Sequence, residues 1–310
     1  MGVESARRRV FVLRQALSPP EQRADWSPRH VLSHGVAAQP SEEAGLRVCV
    51  SGTSSGIGLE LVRQYAAAGA RVYALCRDPA GATQLQSLVA TSAAAVTVCS
   101  HDQKSAASCA ALAAEFAGTP IDLLINNAGV GGGRPGGTAF KQDGQQLGDI
   151  DYGAWLETLD VNVLGVMRTT EAFLPSLLLS PRPCLAHISG IFGSITNQVR
   201  VDEESPDFPG RKGSTGYFAY RSSKAALGMV ARLLDVELVG SGVRSMVLHP
   251  GPVQTRLTKH LGKYDGSISA KESVEGLRKQ IKAILLRPRS STTNAEKFRW
   301  RMWNGKELQW

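Results

Sequence analysis

The chain has 310 residues, 43% of them hydrophobic, with 35 Lys+Arg against 27 Asp+Glu, 32 Gly and 15 Pro. This composition excludes a chain disordered throughout, a collagen-like repeat and a disulfide framework, and it leaves enough apolar side chain for a sizeable core. The formal charge of +8 is concentrated in residues 256–310, where 13 Lys/Arg face 5 acids; without stacking aromatics between them, these cations read as a solvated helix and not as a nucleic-acid surface.

Residues 1–45 carry Arg7-Arg8-Arg9, Arg14 and prolines at 19, 20, 28 and 40, and no Lys. A disordered extension is the default reading. A basic amphipathic helix over Arg7 to Leu17 would suit organelle targeting, but Glu4, Glu21 and Asp25 are acids that transit peptides avoid. A cytoplasmic location is otherwise expected, since Cys49, Cys76, Cys99, Cys109 and Cys184 form an odd set without metal spacing and read as small buried thiols. No metal is expected. Residues 79–101 lack Lys, Arg, Asp and Glu, but Gly81, Gln84 and Gln86 interrupt them, so a soluble chain without a membrane span is expected.

From Leu46 onward, β-branched runs alternate with Ala/Leu-rich stretches. The pattern predicts strands near 46–51, 71–76, 94–99, 121–126, 184–189 and 243–249. Helices are predicted near 57–69, 80–90, 105–117, 151–179, 217–239 and 271–286. Lys297 to Trp303 adds a further strand, followed by a turn at Asn304-Gly305. Such alternation calls for parallel strands joined by crossover helices, an α/β sheet covered on both faces. Two long connections, Gly131 to Gly148 and Thr196 to Gly216, each follow a strand's carboxyl end, where an open α/β sheet binds its ligand.

The first strand runs into Gly52-Thr53-Ser54-Ser55-Gly56-Ile57-Gly58 and then a helix. Glycines let the backbone approach a pyrophosphate, which the free N–H groups of a helix N-terminus stabilise, and Ser54 and Ser55 add hydroxyl donors. The spacing G-x-x-x-G-x-G resembles the cofactor loop of the short-chain dehydrogenase/reductase family, with Ser51 where the family has Thr. Further stretches extend the resemblance over residues 46–310. Asn126-Asn127-Ala128-Gly129 resembles the N-N-A-G motif after the fourth strand. Tyr220-Arg-Ser-Ser-Lys224 fits Y-x-x-x-K. Asn162 lies in Asp160-Val-Asn-Val-Leu-Gly165. Pro250-Gly251-Pro252-Val253-Gln254-Thr255 resembles P-G-x-V-x-T. The C-factor and sniffer-type carbonyl reductases look most similar.

The resemblance implies a Rossmann-type doubly wound parallel sheet of about seven strands. One domain, residues 46–310, would hold both the cofactor and the substrate, commonly in a homodimer or homotetramer built through the long helices. It implies hydride transfer between nicotinamide and a small-molecule carbonyl or alcohol, with no nucleic acid involved. Gly52, Ser54, Ser55, Gly56, Ile57, Gly58, Asp102, Asn127, Ala128, Gly129, Pro250, Gly251, Val253 and Thr255 would hold the cofactor, with Asp102 at the adenine. A free 2′-hydroxyl is usually met by a carboxylate at the end of the second strand, whereas Cys76 and Arg77 stand there. Arg77 suits a 2′-phosphate, so NADP(H) is preferred over NAD(H).

Tyr220 and Lys224 lie four apart on one helix face. A phenol of ordinary pKa near ~10 is a poor base, so Lys224 is expected to favour the phenolate. In the family this lysine also binds the ribose, Asn162 relays protons to it, and the tyrosine protonates the carbonyl oxygen. Tyr217 is a decoy, with Arg221 at +4. The family's serine is where this chain departs: in His187-Ile188-Ser189-Gly190-Ile191-Phe192-Gly193, register against Gly193 puts Gly190 in its place. Either Ser189 swings in, or Ser194 serves, or turnover is weak, since one polarising donor is worth a factor of ~10² to 10³. The rival reading is a dinucleotide-binding regulatory protein with impaired catalysis. The 196–216 insert is expected to form a lid, with Arg200 or Arg211 meeting an anionic substrate.

Overall fold

A computed structural model of the chain describes residues 42–92, 95–134, 143–205, 208–258, 266–285, 298 and 300–310. The extension expected over residues 1–45 lies outside these, apart from Glu42 to Gly45, which form a turn against the domain: Glu43 pairs with Arg278 and Glu42 with Lys282.

The core sheet has eight strands, one more than expected. In chain order they are β1 (Arg47–Ser51), β2 (Arg71–Cys76), β3 (Val96–Ser100), β4 (Leu123–Asn126), β7 (Cys184–Ile188), β10 (Arg244–His249), β11 (Trp300–Met302) and β12 (Glu307–Leu308). They lie side by side as β12-β11-β10-β7-β4-β1-β2-β3. All neighbours are parallel except β11 and β12, which pair antiparallel across the turn expected at Asn304-Gly305. Two short hairpins lie outside the sheet: β5 (Gln145–Gln146) with β6 (Asp149–Ile150), and β8 (Glu204–Ser205) with β9 (Phe208–Lys212). Each falls in one of the two long connections.

Helices α1 (Gly56–Ala67) and α7 (Ala270–Leu285) cover one face, and α3 (Ala106–Glu115), α5 (Gly165–Leu178) and α6 (Phe218–Leu238) the other; α2 (Thr83–Ser92) links β2 to β3 and α4 (Tyr152–Leu159) precedes α5. The two-residue period of a strand divides β1 between the faces. Val48 and Val50 join the cluster of Leu61, Val62, Tyr65, Leu277 and Ile281, while Cys49 joins Leu112, Phe116, Phe173 and Leu177. In α7 the helical period buries Val274, Leu277, Ile281 and Leu285. All five cysteines are free and buried, as small core side chains. No helix among the described residues is long and apolar enough to cross a membrane.

The helix expected as one piece over 151–179 is interrupted. Residues Asp160–Leu164 form a π turn between α4 and α5. Gln103 Nε2 reaches in to donate to the Val161 carbonyl at 2.8 Å, so that the widened turn keeps an acceptor satisfied. Asn162 is carried by this turn.

At the base of the sheet Asp122, 3% exposed, accepts hydrogen bonds from Arg47 N, Nε and Nη2 and from Ser180 Oγ. Burial alone would raise its carboxyl, but the bonds from Arg47 and Ser180 outweigh it and hold the pKa below the usual carboxylate value.

Candidate active site

A cleft of about 270 Å³ opens at the carboxyl ends of the strands, at the point where the order reverses between β1 and β4. Its wall brings together the residues expected to hold the cofactor or do the chemistry except Asn162, Gly251 and Val253, and it lacks the alternatives Ser194 and Arg200.

The floor is the turn from β1 into α1. A Cβ at Gly58 would lie 2.1 Å from the Gly52 carbonyl oxygen and 2.6 Å from Asn127 Nδ2, so only glycine lets the helix start this close to the loop. Asn127 Nδ2 donates to the carbonyls of Ser51 and Gly52, and Ser51 Oγ accepts from the backbone N–H groups of Asn127 and Ala128. Ser51 does this with a hydroxyl, the group that Thr would also provide. Ser55, the residue before α1, is extended and makes no side-chain cap bond. Ser55 to Gly58 line the cleft, so the start of α1 borders it, a setting for an anion. The cradle and the exposed Arg77 beside it fit the phosphates of a dinucleotide.

On the opposite wall stand Tyr220 and Lys224, 9% and 6% exposed, presented by successive turns of α6. Lys224 Nζ donates to the Ile188 carbonyl at 3.1 Å and lies 5.7 Å from the centre of the Tyr220 ring. Burial pushes the phenol up to about 12 and the ammonium down to about 8. Desolvation causes both shifts, so burial opposes the ionisation that Lys224 is expected to favour.

Asn162 sits behind the wall, fully buried. Its Oδ1 accepts from Val130 N at 2.9 Å, and its Nδ2 donates to the Val130 carbonyl and to Ser223 Oγ, each at 3.0 Å. Its amide is close to the lysine, since a Cβ at Gly129 would be 3.0 Å from Asn162 Oδ1 and 3.6 Å from Lys224 Nζ.

Register places Gly190 where the serine is missing. A Cβ built on it would be 3.6 Å from Tyr220 Oη, so the side chain of this position faces the phenol. Ser189 Oγ instead donates to the Lys224 carbonyl at 3.4 Å. Ser194 is corrected outright: its hydroxyl donates to the Gln309 carbonyl at 2.7 Å and accepts from Asn197, and it is not on the cleft wall. Arg200 is 76% exposed and paired with Asp202 and Glu203, so it is a surface cation and does not line the cleft. The side chain of Arg211 lies outside the described residues.

Of the P-G-x-V-x-T stretch, Pro250 and Thr255 reach the wall. Gly251 packs against Trp303 and Val253 is buried, bridging Ile268, so both support the wall from behind. Sequence reasoning missed His101, Gln103, Arg256 and the ion pair Lys104 to Glu157 at 2.9 Å, which also border the cleft. The 53-residue separation of that pair gave no local signal.

A family model described as short chain dehydrogenase matches residues 47–265. C-signal of Myxococcus xanthus is 34% identical over 165 residues, covering 53% of this chain and 82% of that protein. Among solved structures, NADPH bound carbonyl reductase from chicken fatty liver superposes with a TM-score of 0.68 at 26% identity, covering 86% of this chain and all of that one. Carbonyl reductase Sniffer of D. melanogaster, at 22% identity, has the same fold with a TM-score of 0.66 and the same coverage.

Proposed function

We propose, from the premise that the chain belongs to the short chain dehydrogenase family, that it is an NADP(H)-dependent reductase of ketones or aldehydes with Tyr220 as its proton donor. The chain is an oxidoreductase of that family, acting between C=O and CH–OH groups with a nicotinamide cofactor. The observation that carries the finer reading is the pair Tyr220 and Lys224 on the wall of the cleft whose floor is the glycine cradle.

Gly52 and Ser54 to Gly58 would hold the pyrophosphate, Asp102 the adenine, Arg77 the 2′-phosphate, and Asn127 to Gly129 with Pro250 and Thr255 the nicotinamide half. When bound, the reduced nicotinamide supplies a hydride. The residues of the chain then do the proton work. Tyr220, a phenol and therefore protonated at neutral pH, hydrogen-bonds the carbonyl oxygen and releases its proton to the developing alkoxide. Lys224 stabilises the phenolate left behind and meets the ribose hydroxyls. NADP(H) is supported by Arg77 at the cleft and by Cys76 in place of a carboxylate.

Small-molecule substrates would enter beside Phe192, whose ring lies 6.0 Å from Tyr217 and 6.3 Å from Tyr220, under the 196–216 insert acting as a lid. Homodimer or homotetramer assembly is supported by Met229, Leu233 and Val236, an exposed apolar stripe on α6. A cytoplasmic setting fits five free thiols, with residues 1–45 as an extension or targeting segment.

Gly190 favours one second reading, a dinucleotide-binding regulatory protein of low turnover. NADPH consumption across ketones, aldehydes and quinones, with wild type and Tyr220→Phe, separates the two. Turnover abolished by the substitution supports the reductase; NADPH binding without turnover in the wild type supports the regulator.

A further inference from the structure

The first turn of α6 carries Tyr220 but has no cap of its own. Tyr217, at the N-cap position, is left-handed with φ 59° and makes no side-chain cap bond. The N–H groups of a helix's first turn have no acceptor within the helix, and one of these belongs to Tyr220. It donates to Oε1 of Gln145, 3.0 Å away and 75 residues earlier in the chain.

Gln145 lies in the glycine-rich connection after β4, yet it is fully buried. Its Nε2 donates to the Gly131 carbonyl at 3.1 Å. The amide fits there because residue 132 is glycine: a Cβ at that position would lie 2.5 Å from Gln145 Oε1 and 2.8 Å from Nε2. A second carboxamide works in parallel. Asn162 grips both backbone groups of Val130 and donates to Ser223 Oγ, which in turn donates to the Tyr220 carbonyl at 2.8 Å. The adjoining residues Val130 and Gly131 are thus tied to the backbone of Tyr220 at both its N–H and its C=O. That segment continues directly from Asn127 to Gly129 on the cleft wall.

We propose that Gln145 is a positioning residue for Tyr220: it caps the turn that carries the phenol and fixes its height above the loop that follows β4. The inference rests on the reading of Tyr220 as the proton donor. A side chain that merely fills space would be replaced by an apolar one of equal length without loss, whereas a positioning role depends on the acceptor oxygen. Gln145→Met keeps the length and removes both hydrogen bonds. Gln145→Glu keeps an acceptor for the Tyr220 N–H, at a helix start that favours negative charge, and removes the donor to Gly131.

The test measures kcat and KM with NADPH and a reducible carbonyl for the wild type and both variants of the full chain, together with exchange of the Tyr220 amide hydrogen in the protein without added cofactor. Gln145→Met is expected to lower kcat roughly 10- to 100-fold without moving the KM for NADPH, as small misplacements of a reacting group do. It is also expected to speed Tyr220 amide exchange, and Gln145→Glu to restore most of both. Equal losses in the two variants, or no loss in a folded Gln145→Met, would overturn the proposal. Should Gln145→Met not fold, Gln145→Glu decides: retained kcat and a protected Tyr220 amide support the role, and loss of either refutes it. A wild type that reduces no carbonyl would defeat the reductase reading alone, because amide exchange still decides whether Gln145 holds this turn.

Discussion

Gly190→Ser is the substitution that asks most of the site. The backbone at residue 190 is extended, with φ −161° and ψ 154°, a conformation open to any residue. The side chain would point at Tyr220, with its Cβ 3.6 Å from the phenol oxygen and its hydroxyl one bond beyond. That distance is van der Waals contact, so the Cβ enters without displacing a neighbour. The added hydroxyl would be a second donor to the carbonyl oxygen that Tyr220 protonates. Removing one such donor from an acyl-transfer site costs a factor of ~10² to 10³ in kcat, and adding one here is expected to recover a part of this, roughly 10- to 100-fold. Single-turnover reduction of a simple ketone by NADPH reads the chemical step directly, with NADPH affinity and thermal midpoint as controls for the fold. An unchanged or lower rate in a folded variant that still binds NADPH would refute the view that position 190 faces the reacting oxygen.

Three further outcomes follow from the same geometry. Lys224, lowered to about 8 by burial, is charged below that pH, so kcat/KM for reduction should fall as pH rises past about 8, while Tyr220 at about 12 keeps its proton; a profile flat to about pH 10 would contradict this. Arg77→Ala should raise the KM for NADPH roughly tenfold, the loss of one charge-assisted contact at an exposed side chain, and leave the KM for NADH unchanged; equal effects on both would remove the 2′-phosphate role. Asp122→Asn should destabilise the fold by about 1–3 kcal/mol in urea unfolding at neutral pH, less than a fully buried pair would lose because Arg47 is 27% exposed. Since the folded pKa of Asp122 is depressed, its contribution is fully present above the unfolded value near ~3.9 and is lost as pH falls through the folded one. The gap between wild type and variant should therefore close on acidification, and a gap that persists would argue against the ion pair.

The parts of the molecule legible in the sequence are those written in local pattern. Strands and helices of the sheet follow from apolar periodicity, the cradle from three glycines between a strand and a helix, and the Tyr220 and Lys224 pair from one turn of helix. Gly190 was also visible, because its register against Gly193 needs only four residues. What escaped depends on contacts between distant segments. Gln145 has partners 14 and 75 residues away and stands in a stretch whose composition reads as a plain loop. The π turn at Asp160–Leu164 leaves no mark in apolar spacing, and the Gln103 side chain that bonds its Val161 carbonyl stands 58 residues earlier. The burial that raises Tyr220 was not legible either, because a spacing rule sees a nearby cation and not the water that both groups have lost.

The π turn has a further bearing on how such a chain tolerates change. A regular helix assigns each residue its azimuth by counting, and the widened turn advances that count by one between Tyr152 and Leu178. Shortening Asp160–Leu164 by a single residue would leave the helix continuous and its buried face plausible, yet it would rotate the Asn162 carboxamide off Val130 and Ser223. Here the number of residues is itself inherited information, so an indel in this helix is a graver event than most substitutions along it.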